Sequence, residues 1–300
     1  MKRRSLLIAP LALTIGSALA NPVVVRSGNA RLTIDIAPPG TPGFSSLVQG
    51  WVEKSAAAIR RYYGRFPVPE VHIQVLIGGG PGVHGGQSIP GDVPLIRVRA
   101  GSGSRPKDLL EKDWVMVHEM VHLAFPWMDL KHNWMAEGLA VYVESIARLQ
   151  AGHLTREAVW GDFVKMMPRG LPAAGEGGFE VTRTWGRTYW GGALFCLLAD
   201  LSIRRETSNR AGLQQALRAI NAERDFRRAW DFQETLAVGD AATGTRVLTS
   251  QFEAMRDDPV SPDLAALWRD LGVVVKDGAV TFDGDAPSAT VRQAIETAPA

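Results

Sequence analysis

Trp114-Val115-Met116-Val117-His118-Glu119-Met120-Val121-His122-Leu123-Ala124-Phe125-Pro126 is the stretch on which the reading of this chain turns. Leu109, Leu110, Trp114, Val117, Val121 and Phe125 recur at roughly helical spacing, which predicts a helix over about 107–124 that Pro126 ends. Helical positions four apart share a face, so His118 and His122 present two imidazoles to one point. Glu119 stands beside the first of them. Zinc takes nitrogen and oxygen donors and, in a catalytic site, keeps one position open for water. An H-E-x-x-H pattern meets that need, with Glu119 placed to take a proton from the water.

A third donor is expected downstream. Asn133-Trp134-Met135-Ala136-Glu137-Gly138-Leu139-Ala140-Val141-Tyr142-Val143-Glu144 predicts a second helix, with Asn133 as its cap. Glu137 lies in its second turn among apolar residues, and a buried carboxylate requires a cation or a hydrogen-bonding partner. The loop from Pro126 to His132 is long enough to turn this helix back onto the first. Asp129 or His132 is the alternative third ligand. Glu144, two turns beyond Glu137, either hydrogen-bonds a ligand or is an exposed charge.

Working outward, the 300 residues are 46% hydrophobic and 21% charged, which is ordinary globular composition. It excludes a collagen-like chain, a disordered one and a multi-span membrane protein. The single cysteine, Cys196, excludes a disulfide framework or a Cys-rich zinc module. Formal net charge is +2, but Lys2, Arg3 and Arg4 supply three of the positive charges. They open a basic, then apolar, then Ala18-Leu19-Ala20 sequence, the layout of a signal peptide over 1–20. Export to the periplasm or beyond the cell is therefore expected, with no stable membrane insertion after cleavage. Without that segment the charge is near balance, so nucleic acid is not an expected partner.

Short strands are predicted at Val23–Val25, Arg31–Ile36, Val71–Ile77 and Leu95–Val98. A helix capped by Ser45 or Ser46 is expected to run to Tyr63, and Gly78–Gly91 reads as a loop. From Pro106 the chain reads as mostly helical, over about 107–124, 134–150, 156–167, 187–206, 210–221 and 262–270. A hairpin follows around Asp277-Gly278. The expected fold class is α+β: one domain over 21–300, strand-rich over 21–104, helical over 105–271, with a C-terminal hairpin region over 272–300.

His118-Glu119-x-x-His122 followed by Trp134-x-x-Glu137-Gly138-x-Ala140-x-Tyr142 resembles the gluzincin zinc metallopeptidases, the aminopeptidase N and glycyl aminopeptidase branches above all. The resemblance implies a thermolysin-like architecture, zinc held by His118, His122 and Glu137, and a peptide or protein substrate. Gly186-Arg187-Thr188-Tyr189-Trp190-Gly191-Gly192-Ala193-Leu194 resembles the family's Tyr-x-Lys-Gly-Ala-Leu helix. That implies Tyr189 as the donor to the oxyanion; Gly191 stands where the pattern has Lys. The implied chemistry is physically apt, since a phenol O–H can donate to developing negative charge.

The pattern breaks at Gly78–Ser88, where the aminopeptidases carry a Glu that holds the substrate's free α-amine. Here the stretch contains no acid. Gln87 is the candidate substrate contact there, able to accept a hydrogen bond but not to supply charge. Arg187 is either a contact for a substrate carboxylate or a surface residue. Trp127, Trp134, Trp185 and Trp190 read as core or wall. The expected function is a zinc peptidase, an endopeptidase or an atypical aminopeptidase. Its rivals are an inactive exported binding protein on the same fold and hydrolysis of a non-peptide bond.

Overall fold

A computed structural model describes residues 22–223 and 229–298. The signal peptide expected at 1–20 lies outside the described residues. The chain builds a mixed five-stranded sheet, then a set of packed helices, as an α+β fold. The strands are β1 (Val23–Ser27), β2 (Ala30–Ala37), β3 (Glu70–Gly78), β4 (Val83–Ile89) and β5 (Leu95–Gly101), in the spatial order β1-β2-β3-β5-β4. β2, β3 and β5 run parallel, and β1 and β4 are the antiparallel edges.

Period-two alternation sets the buried face. Leu32 and Ile34, Val71, Ile73 and Val75, and Ile96 and Val98 all turn inward, while His72, Arg97 and Arg99 on the same strands stay exposed. Helix α1 (Pro42–Tyr63) makes the crossover from β2 to β3 and buries Val48, Trp51, Val52, Ala56 and Ile59. It starts a turn before the expected Ser45 or Ser46. Thr41 caps it, its hydroxyl accepting the Phe44 N–H at 3.3 Å, and Pro42 occupies the first turn where no N–H is needed.

The predicted loop over Gly78–Gly91 holds strand β4. Its glycines and exposed polar residues hide the alternation by which strands are read, because β4 is an edge strand with little to bury. A bulge between Val83 and Gly86 breaks its register against β5, a device that re-aims side chains beside functional sites.

The helical part holds α2 (Val115–His122), α3 (Asn133–Gln150), α4 (Arg156–Met166), α5 (Gly192–Glu206), α6 (Leu213–Glu223), α7 (Phe232–Thr243), α8 (Val247–Met255) and α9 (Leu264–Asp270). The hairpin β6 (Val273–Lys276) and β7 (Ala279–Phe282) turns at Asp277-Gly278 as expected. The region after it is more than a hairpin, since α10 (Ala289–Glu296) packs Ile295 into the core. Helices α7 and α8 escaped the sequence reading. They close on the aromatic cluster of Trp134, Phe179, Phe232 and Phe252, contacts between segments far apart in the chain. No helix of the described residues is long and apolar enough to cross a membrane.

Candidate metal centre and cleft

The metal motif lies on a helix shorter than the apolar spacing suggests. Lys107–Glu111 forms a π-helical turn, and α2 begins only at Val115. Asp113 makes the break. Its carboxylate accepts the N–H groups of Val115 and Met116, each at 3.1 Å, and the indole N–H of Trp51 at 2.8 Å. The start of α2 is thereby capped and tied to α1.

His118 and His122 leave the same face of α2, their rings 5.0 Å apart. Helix α3 returns across that face and delivers Glu137. Its Oε2 lies 3.2 Å from His118 Nε2 and 3.7 Å from His122 Nε2. The three ligand atoms all lie within 4.8 Å of one another. Two imidazoles and one carboxylate are the donor set of a catalytic zinc site with a position left open.

The electrostatics fit a cation. Burial opposes ionisation of Glu137, but its hydrogen bond to His118 and the two imidazoles prevail and hold its pKa below the usual range. Burial pushes His122 down to about 4, helped by His118 and opposed by Glu137, so at neutral pH its lone pair is free for a metal.

Glycine-to-glycine contact fixes how closely the helices cross. A Cβ on Gly138 would lie 2.2 Å from the Gly192 backbone, and one on Gly192 would lie 2.2 Å from the Trp134 carbonyl oxygen. Only two glycines let α3 and α5 approach in this way. The crossing sets the π-helical turn Gly186–Gly191, which carries Tyr189, beside Glu137. Burial, followed by the charge of Glu137, pushes the Tyr189 phenol up to about 12, so it remains a proton donor through the physiological range.

Glu119 is buried against the edge strand. Ser88 Oγ donates to the Glu119 carbonyl oxygen at 2.7 Å and to its carboxylate Oε2 at 3.0 Å. A Cβ on Gly86 would stand 2.7 Å from Glu119 Cγ. Gly86 therefore makes room for the carboxylate and Ser88 aims it. Neither residue stood out in the sequence, because their partner is 31 or more positions away. Burial raises the pKa of Glu119, against the opposing pull of His118 and Ser88.

His118, Glu119, His122, Glu137 and Tyr189 line one cleft of about 670 Å³, with Gln87 and Ser88 on its β4 wall. Of the other residues singled out in the sequence, Trp127, Asp129 and His132 also line this cleft, while Arg187 and Glu144 do not. Arg187 is neither exposed nor on the cleft. It is 2% exposed, donates to the Gly170 carbonyl at 2.7 Å and lies over the Phe179 ring, because its position in the π-helical turn points inward. Glu144 is neither a partner of a ligand nor exposed; it is buried and paired with Arg148, which also donates to the Glu111 carbonyl. The alternative third ligands are engaged otherwise. His132 pairs with Glu180 at 2.7 Å and stacks on Phe232, and Asp129 accepts the Lys131 N–H. Trp134 is core and Trp127 is cleft wall, both as read, whereas Trp185 is exposed outside the cleft lining.

No family model and no curated protein matches this chain. Solved structures do. An aminopeptidase N family protein from Idiomarina loihiensis superposes with a TM-score of 0.63 at 14% identity, over 90% of this chain and 53% of that one. The M1 zinc metallopeptidase from Deinococcus radiodurans gives 0.52 at 16% identity, over 82% and 52%. A mutant of the latter, bound to a Tyr-Ser-Ala substrate, gives 0.50 at 14% identity, over 81% and 52%. The chain spans about half the length of these proteins. The fold is thus that of the M1 zinc metallopeptidases, and the His118–His122–Glu137 cluster fits a gluzincin metal site.

Proposed function

We propose that the protein is an exported zinc peptidase in which Glu119 carries the proton. One observation supports this above the rest: two imidazole nitrogens and a carboxylate oxygen converge in a cleft that also holds a buried, hydrogen-bonded glutamate. A pure binding surface has no use for that glutamate. The basic, apolar and A-x-A segments of residues 1–20 support export. The substrate-bound neighbour supports a peptide as substrate.

His118, His122 and Glu137 would hold the zinc, which when bound supplies Lewis-acid polarisation of water and of the scissile carbonyl. Glu119 accepts a proton from the attacking water and delivers it to the nitrogen of the leaving amine. Burial raises its pKa above the usual carboxylate range, which favours its holding the proton between the two transfers. Ser88 and Gly86 fix the carboxylate. Tyr189, protonated throughout, donates a hydrogen bond to the oxygen on which negative charge develops.

The test is elemental analysis of the dialysed protein, wild type against Glu137→Ala, followed by a peptide-library digest with Glu119→Gln as control. Stoichiometric zinc in wild type, lost in Glu137→Ala, with cleavage abolished in Glu119→Gln, is the expected result. Cleavage that survives Glu119→Gln would sink the mechanism.

A further inference from the structure

A peptidase that removes terminal residues needs a counter-charge for the terminus, because an unpaired ammonium taken out of water is costly. Among the described residues the cleft walls carry three carboxylates: Glu119, Glu137 and Asp129. Glu137 belongs to the metal cluster. Glu119 is held by Ser88 as the proton carrier. Asp129 turns back on its own loop, where it accepts the Lys131 N–H at 3.0 Å. On the β4 wall the residues offered to a ligand are Gln87, Gly85 and His84, none of them an anion. On that wall no described side chain carries a negative charge to meet an α-amine.

Open aromatic surface lies in and beside the same cleft. Trp114, Trp127 and Trp185 are 50%, 42% and 56% exposed, and no other described tryptophan is exposed. Trp114 and Trp127 line the cleft. Trp185 stacks on Tyr189 with ring centres 5.9 Å apart. The rings form a series through the metal cluster: Trp114 packs edge-on to His118 at 5.4 Å, and His118 faces Tyr189 at 6.5 Å. Aromatic rings left in water beside a binding cleft gain most when a ligand covers them.

We propose that the cleft binds an internal stretch of polypeptide without reading a free amino terminus, and that Trp114 and Trp185 select aromatic or large apolar side chains around the bond that is cut. This rests on the peptidase reading above. The reaction is hydrolysis: the water oxygen bonds to the carbonyl carbon as one water proton passes to Glu119, the amide C–N bond breaks as Glu119 gives that proton to the amine nitrogen, and the other water proton remains with the new carboxyl group until it ionises.

The test uses zinc-reconstituted wild type and one apolar peptide in two forms, with free termini and with an acetylated N-terminus and amidated C-terminus. Both forms should be cut internally, as mass spectrometry will locate, at rates within about threefold of each other. Release of the first residue, with the blocked form cut about tenfold more slowly or worse, overturns the proposal and leaves the peptidase reading standing. Failure to cut any peptide while fully zinc-loaded overturns both. Binding gives a second readout. The zinc-loaded Glu119→Gln variant, titrated by tryptophan fluorescence, should bind the two forms with equal Kd. Trp114→Ala and Trp185→Ala, each checked for unchanged zinc content, should lower the kcat/KM ratio of a Phe-containing peptide to its Ala counterpart about tenfold. An unchanged ratio in both variants overturns the role given to the rings.

Discussion

The cleft has two sides built on different principles. The helical side, α2 against α3 and α5, is buried and over-determined. Gly138 meets Gly192 backbone to backbone, Asp113 caps α2 while holding Trp51, and Glu144 is locked to Arg148. The β4 side is an exposed edge strand with a bulge, glycines and neutral side chains, and it touches the machinery through Gly86 and Ser88. The difference teaches a division of labour. The helices hold the His118–His122–Glu137 cluster in place and tolerate little change. On the proposed function the wall would aim the proton carrier and meet the substrate, so its chemistry could vary without loss of the fold.

Variants on the two sides should therefore fail in different ways. Gly138→Ala should have the largest effect: its Cβ would overlap the Gly192 backbone, and overpacking of this kind costs about 3 kcal/mol. Thermal melting should show the loss, with zinc binding lost alongside; a wild-type melting curve would mean that the crossing yields more easily than its geometry implies. Glu119→Gln, on the helical side but facing the wall, should lower kcat by about 10²–10⁴-fold while zinc content and melting temperature hold. Gly86→Ala should do the reverse of Gly138→Ala. We expect stability near wild type and about a tenfold or greater loss of kcat as Glu119 is pushed aside, a 1 Å displacement being enough. If Gly86→Ala instead unfolds the protein, the division between the two sides is wrong.

The smallest effect concerns pH. Burial, then the charges of Lys54 and Arg148, pushes His153 from 6.5 down to about 4. The unfolded chain then binds the proton more tightly than the folded one. The contribution of this neutral imidazole is complete above pH 6.5 and is lost as pH falls toward 4. Denaturant melts of His153→Gln between pH 7 and pH 4.5 should fall less steeply than those of wild type. Parallel curves would remove His153 from the account.

Much of the helical side was legible because its signals are local. A four-residue spacing puts His118 and His122 on one face whatever surrounds them, and a carboxylate among apolar residues marks Glu137. Alternation marked β2, β3 and β5, and Asp277-Gly278 marked the hairpin. The wall was not legible. An edge strand with nothing to bury has no alternation, so β4 passed for a loop. Arg187 and Glu144 were misplaced for a related reason: burial of a charged residue depends on a partner contributed by folding, here the Gly170 carbonyl and Phe179 for one and Arg148 for the other.

What the sequence determined by itself is the pair of imidazoles, His118 and His122, with Glu119 beside the first, because helical periodicity is a property of neighbouring residues. What only the tertiary structure decided is the geometry that makes them a site: Glu137 rather than Asp129 or His132 between the imidazoles, Tyr189 beside Glu137, and Ser88 on Glu119. Those depend on helix crossings and an edge strand set by contacts across distant parts of the chain, and the closeness of approach at Gly138, Gly192 and Gly86 exists only once the chain has folded.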